Sequence, residues 1–398
     1  MTPSQEDSLG QLLLLKVNEL RWDSSFEHFL RHLLPGGILL GALFAHGAEL
    51  TREFLIKLAR ALPAVPFLAI EEEGGTLDPL RAFFPPLPAP RSAAEKGLAA
   101  VSRLGGLVGA ALQFLGFNCD LAPVLDLASP ASEKRSCEAV QSSGRDKPWR
   151  GRGMPPCGPK PPGGGPWRAP TGISSQVQAT DAGAFSSNPR EVAKCGAAFL
   201  EGLERHNLRA CGKHFPGLET ALYVEAPERA TVSKSMAQLW REDLVPYRAL
   251  LPRLPLVLVS PAAYKAYDFD LLQSAALSPE VVEGLLRVKL GYNGVAIACG
   301  LETEAVRGKL ALEEAAVQAL RAGCDMLLLE KTEAAERVQR ALSAARESGE
   351  LPTPRVEQAL KRLQLAKQGL KPPHGPLSRR SLAGVVREFT DFSSDFAG

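Results

Sequence analysis

Leu208-Arg209-Ala210-Cys211-Gly212-Lys213-His214-Phe215-Pro216-Gly217 is the stretch whose reading decides the fold. The run from Leu208 to Gly212 has the apolar character of a buried strand, and Pro216-Gly217 breaks it into a loop. A cation and an imidazole, Lys213 and His214, therefore stand where a strand hands over to a loop, which is where α/β barrels carry their chemistry. A strand-end Lys-His pair also serves to cap or salt-bridge, and spacing alone leaves both readings open.

Working outward, the same alternation repeats. Glu191 to His206 is an amphipathic helix feeding the strand before Lys213, and Ser235 to Leu251 is a helix leading to a strand at Pro255 to Val259. Ser278-Pro279-Glu280 starts a helix, with serine as N-cap and proline at the first position. Gly294 to Ala298 and Asp325 to Leu329 read as strands seven and eight, with helical spacing over Glu313 to Arg321 between them. On the N-terminal side, Leu12 to Leu15, Ile38 to Leu40, Pro66 to Ile70 and a segment within Phe117 to Leu127 give four more strands. They alternate with helical spacing around Phe26 to Leu33, Leu50 to Leu62 and Ala94 to Leu115. Eight short apolar strands alternating with helices predict an α/β fold of the TIM-type (β/α)8 barrel class over residues 1–370. Val356 to Gly369 is a further helix, and 371–398 reads as a poorly ordered C-terminal tail.

Composition limits the function classes. At 398 residues the chain can bury a large core, and one barrel routinely takes about 250 residues or more. A net charge of +2 gives no field that would draw nucleic acid or an anionic membrane, so neither is an expected partner. The seven cysteines, at 119, 137, 157, 195, 211, 299 and 324, include no Cys-x-x-Cys pair, so neither a zinc site nor a disulfide framework is indicated. Cys119, Cys195, Cys211 and Cys324 stand in apolar surroundings and read as small core residues. The first ten residues are polar and acidic, unlike a signal peptide, and Leu12 to Leu15 is too short to span a bilayer. The expectation is a reduced, cytoplasmic protein, and the small charge and complete barrel permit a monomer.

One region breaks the pattern. From Gly151 to Gly172, fourteen of twenty-two residues are proline or glycine, and the flanks across 129–180 show no periodicity. Such composition cannot bury enough apolar surface to offset chain ordering. The stretch reads as an irregular, disordered insertion or as corrupted sequence, and no function is assigned to it.

The order of motifs now carries more than any one of them. Gly36-Gly37-Ile38-Leu39 is followed by Ile70-Glu71-Glu72-Glu73-Gly74-Gly75, then by Phe117-Asn118-Cys119-Asp120-Leu121-Ala122-Pro123-Val124-Leu125-Asp126 and Ala184-Phe185-Ser186-Ser187-Asn188-Pro189. Gly212-Lys213-His214-Phe215-Pro216-Gly217, Leu277-Ser278-Pro279, Leu285-Leu286-Arg287 and Leu290-Gly291-Tyr292-Asn293-Gly294-Val295 complete the series. In this series the chain resembles glycoside hydrolase family 3, in its bacterial β-N-acetylglucosaminidase (β-hexosaminidase) branch, from about Leu9 to Leu370. The resemblance implies a site for terminal β-linked N-acetylglucosamine, muropeptides of cell-wall (peptidoglycan) recycling as substrates, and no metal or organic cofactor, because carboxylates and imidazole carry the family chemistry.

The chain departs from that pattern where the chemistry belongs. The family presents its nucleophile in a Ser-Asp-Asp-Leu run after strand seven, and here the run is Ala298-Cys299-Gly300-Leu301, with Cys299 at the nucleophile position. A thiolate attacking an anomeric carbon would leave a thioglycoside that hydrolyses poorly. The family's Asp-x-His acid/base pair is replaced, by alignment through Thr220, with Tyr223 and Glu225; a glutamic acid of raised pKa is an ordinary glycosidase proton donor. Lys213 and His214 are retained and by resemblance bind sugar hydroxyls, while Glu71 replaces a sugar-binding aspartate. Thr76, Gly183 and Pro261 stand where the family has Arg, Arg and His. Glu302 and Glu304 lie near the missing nucleophile but would have to swing back to replace it. Three expectations follow: an impaired family 3 protein with at most a weakened sugar pocket, an active retaining β-N-acetylhexosaminidase using a noncognate acid/base such as Glu225, or a barrel that serves only as an interaction scaffold.

Overall fold

The computed structural model describes residues 9–41, 47–128, 183–218, 230–270 and 272–396. The 129–180 insertion and Thr220, Tyr223 and Glu225 lie outside them.

Eight parallel strands close into a barrel, as the alternation predicts. They are β1 (Leu13–Val17), β2 (Gly37–Leu40), β3 (Phe67–Ile70), β4 (Cys119–Asp120), β5 (Arg209–Phe215), β7 (Leu256–Val259), β9 (Val295–Ala298) and β10 (Met326–Leu329), in that spatial order. A separate two-stranded ribbon pairs β6 (Thr231–Val232) with β8 (Ala263–Tyr264). The ring shuts where β1 meets β10, with Leu14 opposite Leu328 and Leu15 opposite Leu329. Helices outside and side chains inside cover both faces of each strand, so β2, β3, β7, β9 and β10 are buried along their whole length. That is why these segments read as unbroken apolar runs rather than alternating ones.

Two boundaries differ from the expectation for physical reasons. Regular strand geometry in the fourth segment ends at Asp120; beyond it Ala122 and Pro123 still accept the N–H groups of Cys211 and Lys213, Pro123 has no N–H to return, and a bridge joins Val124 to Lys213. β5 runs past Gly212 to Phe215, so Lys213 and His214 sit inside the strand rather than beyond it. The helix expected over Ser235 to Leu251 is two, Met236–Arg241 and Leu244–Leu250; the first opens on a capping box between Ser235 and Gln238.

The apolar helix Leu98–Leu115 is long enough to cross a membrane by length and composition. Its apolarity has a packing use here. It lies against the helix Pro189–Glu204, and a Cβ on Gly202 would come within 2.3 Å of the Gly105 backbone, so the two helices meet main chain to main chain.

The expectation of a poorly ordered tail is corrected. Arg379–Ser394 is a helix whose Leu382, Val385, Val386, Phe389 and Phe392 pack on the core, with Phe389 stacked on Phe84 at 4.8 Å between ring centroids. Their helical spacing was legible, but the preceding Pro372-Pro373-His374-Gly375-Pro376 masked it.

At the opposite end from the site, the helix Thr353–Lys367 crosses under the barrel. Arg355 binds Asp325 below β10, Arg209 at the start of β5 donates to the carbonyls of Ala366 and Gln368, and Lys367 lies over the Phe67 ring at the start of β3. Asp325 is fully buried and also receives Arg287 and Arg362. The lower end of the barrel is thus closed by one helix fastened to three strands.

Candidate active site

The C-terminal ends of the strands place the charged residues of the chain together. Lys213, 1% exposed, reaches Glu71 Oε1 at 3.1 Å and Glu73 Oε1 at 2.5 Å. Burial disfavours the ammonium, but the two carboxylates outweigh it and hold Lys213 above the usual lysine range. Burial alone would raise the Glu71 carboxyl; Lys213, Lys16 and His214 bring it below the ordinary carboxylate value instead. The sequence pointed to Lys213 and Glu71, and the structure joins them. It missed Glu73, which follows Glu71 in the same run and is the closer partner. A Cβ on Gly183 would lie 2.4 Å from Glu73 Oε2, so the residue standing where the family has an arginine leaves the space that Glu73 fills.

His214 is fixed from beneath. Its Nδ1 lies 2.7 Å from Asp126 Oδ2, while Asp126 Oδ1 accepts the backbone N–H groups of His214 and Leu218 at 3.2 and 2.9 Å. A carboxylate accepting at Nδ1 fixes the ring's tautomer and leaves Nε2 as its remaining polar atom. Asp126 was present in the motif, but nothing in the sequence tied it to a histidine 88 positions away.

Beside this pair lies a floor of buried carboxyls. Asp120 Oδ1 accepts the Glu72 N–H at 2.9 Å, and Oδ2 has no partner among the described residues. Burial pushes the Asp120 carboxyl well above the carboxylate range, against the pull of the nearby Lys213 ammonium. Glu72 accepts from the N–H groups of Gly74 and Leu80, and Asp78 from those of Arg81 and Leu87. Glu72 and Asp78 therefore fold the loop after β3 and are structural.

Across the mouth, Cys299 follows the end of β9. It is 7% exposed, and burial, aided by Cys324 and Glu330, drives its thiol well above the usual range. It is a neutral thiol at physiological pH. Glu302 does not swing toward it. Its two oxygens accept the backbone N–H groups of Glu330 and Lys331 at 3.0 and 3.1 Å, and Glu304 opens the short helix Glu304–Arg307. Lys16, in β1, pairs with Glu330, just past β10, at 2.7 Å. Neither was singled out from the sequence, although each is a charge at the C-terminal end of an apolar run.

The comparisons agree with the barrel fold. A sequence profile described as the glycosyl hydrolase family 3 N terminal domain matches residues 173–366. A beta-hexosaminidase of Bordetella avium (strain 197N) is 30% identical over 314 residues, spanning 75% of this chain and 75% of the relative. The chain belongs to glycosyl hydrolase family 3. Within that family it is 28% identical to the beta-hexosaminidase of Tolumonas auensis over 324 residues, covering 79% of this chain and 81% of the relative. The family 3 beta-N-acetylglucosaminidase from Paenibacillus sp. str. FPU-7 shares the fold, with a TM-score of 0.77 at 22% identity over 98% of this chain and 69% of that one. The end of β5 thus carries a compensated cation, and the residue that follows β9, Cys299, is uncharged.

Proposed function

We propose that this chain is a family 3 sugar-site protein whose mouth accepts terminal β-linked N-acetylglucosamine and whose hydrolytic power is impaired. The observation that carries this reading is the state of Cys299. A retaining glycosidase needs an ionised carboxylate at that position, and the chain offers a buried neutral thiol. Loss of a nucleophile removes several orders of magnitude in rate, and binding contacts do not replace it. Retention of Lys213 and His214, each braced by carboxylates, supports a surviving site for sugar hydroxyls. By likeness to the beta-hexosaminidases the ligand class is a muropeptide of cell-wall recycling. We read the protein as cytoplasmic, in keeping with the free buried thiols of Cys119, Cys195, Cys211, Cys299 and Cys324.

A second reading, slow hydrolysis through groups the family does not use, is favoured by one observation, the carboxylate of Glu330 beside the Cys299-Gly300 step.

The test is release of 4-nitrophenol from its N-acetyl-β-glucosaminide, assayed beside the Bordetella avium relative, with sugar binding followed separately by saturation-transfer NMR. The expected result is binding together with kcat/KM at least about 1,000-fold below the relative. Comparable kcat/KM would overturn the impairment; absence of binding would overturn the sugar site.

A further inference from the structure

The carboxylate missing at position 299 has a counterpart one strand away. Gly300 carries no side chain, and a Cβ built there would lie 2.8 Å from Glu330 Oε1, 3.0 Å from its Cγ and 3.3 Å from its Cδ. The Glu330 side chain therefore lies against the backbone of the Cys299-Gly300 step, in space that any larger residue at 300 would claim. β10 pairs directly with β9, Leu327 opposite Ala298, so the two strand ends are neighbours. Three contacts fix the group: Lys16 Nζ on Oε2 at 2.7 Å, and the Glu302 carboxylate on the N–H groups of Glu330 and Lys331. The Glu330 side chain is 31% exposed, open at the mouth where Cys299 is closed.

We propose that Glu330 is the carboxylate this site presents to the anomeric carbon. The inference rests on the reading of the mouth as a sugar site. In the step it would support, a Glu330 oxygen forms a bond to C1 of the glycoside as the bond from C1 to the leaving group breaks with its electron pair. A leaving group such as fluoride or 4-nitrophenolate departs as the anion and needs no proton. Water then attacks C1, the glycosyl ester bond to Glu330 breaks, the carboxylate returns and the proton passes to solvent. The ion pair with Lys16 stabilises the carboxylate before attack and is weakened during it, so this nucleophile is slow, in accord with impaired hydrolysis.

The experiment incubates the full chain with 5-fluoro-N-acetyl-β-glucosaminyl fluoride and maps the peptide that gains the glycosyl mass. The expected result is labelling of the peptide containing Glu330 and none in Glu330→Gln. On the 4-nitrophenyl glycoside, kcat of that variant should fall at least 100-fold with KM within about threefold. Glu330→Asp keeps a carboxylate and retains part of the labelling, which separates chemistry from a folding defect. Label on another residue, no label at all, or unchanged kcat in Glu330→Gln overturns the assignment. Saturation-transfer NMR distinguishes the failures: binding without label sinks Glu330 and leaves the sugar site standing, whereas no binding sinks both.

Discussion

The end of β5 and the turn after β9 are both lined by buried groups, yet they answer to different physics. At β5 a buried ammonium touches two carboxylates and a histidine rests on a third. Each charge there exists because its partner does, and removing one strands the others in low dielectric. After β9, Cys299 is a neutral thiol beside a glycine, and no ion pair depends on it. On the proposed reading of position 299, the contrast separates Lys213 and His214, which are bound into folding stability, from a position that answers only to chemistry.

That contrast can be broken at its strong end. Lys213→Met leaves Glu71 and Glu73 facing each other with their shared buried cation gone, and is expected to lower unfolding free energy by about 3–5 kcal/mol in urea titration. A loss below about 1 kcal/mol would mean that the network does not brace β5.

The carboxyl floor sharpens it through pH. Asp120 has a folded-state pKa raised by burial above its unfolded value, so the folded chain binds that proton more tightly. Its contribution is full below about pH 4 and is lost as pH rises toward the folded value, at about 1.4 kcal/mol per unit of difference. Between pH 4 and 7 the native protein should therefore lose more stability than Asp120→Asn, which has no proton to release. Parallel curves would show that Asp120 is ionised in the fold. The weak end should respond least: Cys299→Ala removes one buried sulfur and no charge, with an expected loss of about 1 kcal/mol. A loss matching that of Lys213→Met would erase the distinction.

Much of this was legible in the chain. β2, β3, β7, β9 and β10 appear as apolar runs because they are buried on two faces, and Lys213 and His214 announce themselves by following the apolar stretch Leu208 to Gly212. Cys299 draws notice in the run Ala298-Cys299-Gly300-Leu301, which by resemblance is the nucleophile stretch. What escaped was pairing across distance. Lys16 and Glu330 are 314 positions apart and meet only because β1 closes against β10. Glu73 looked redundant beside Glu71 until Gly183 supplied its space. Glu302, read from the chain as a carboxylate that would have to swing back toward position 299, is occupied by the backbone it fastens. The C-terminal helix was hidden by local composition, its anchoring phenylalanines finding their partners on Phe84 and on the helix Leu98–Leu115.

The helix drawn across the lower end of the barrel has a consequence for tolerance to change. The barrel is filled by the side chains of its own strands, so Thr353–Lys367 stops no bore. It ties the N-terminal ends of β3, β5 and β10 together through Lys367, Arg209 and Arg355, at the end away from Lys213 and His214. The clasp of the fold and the charged strand ends are thus on opposite faces, and a substitution in one leaves the contacts of the other in place.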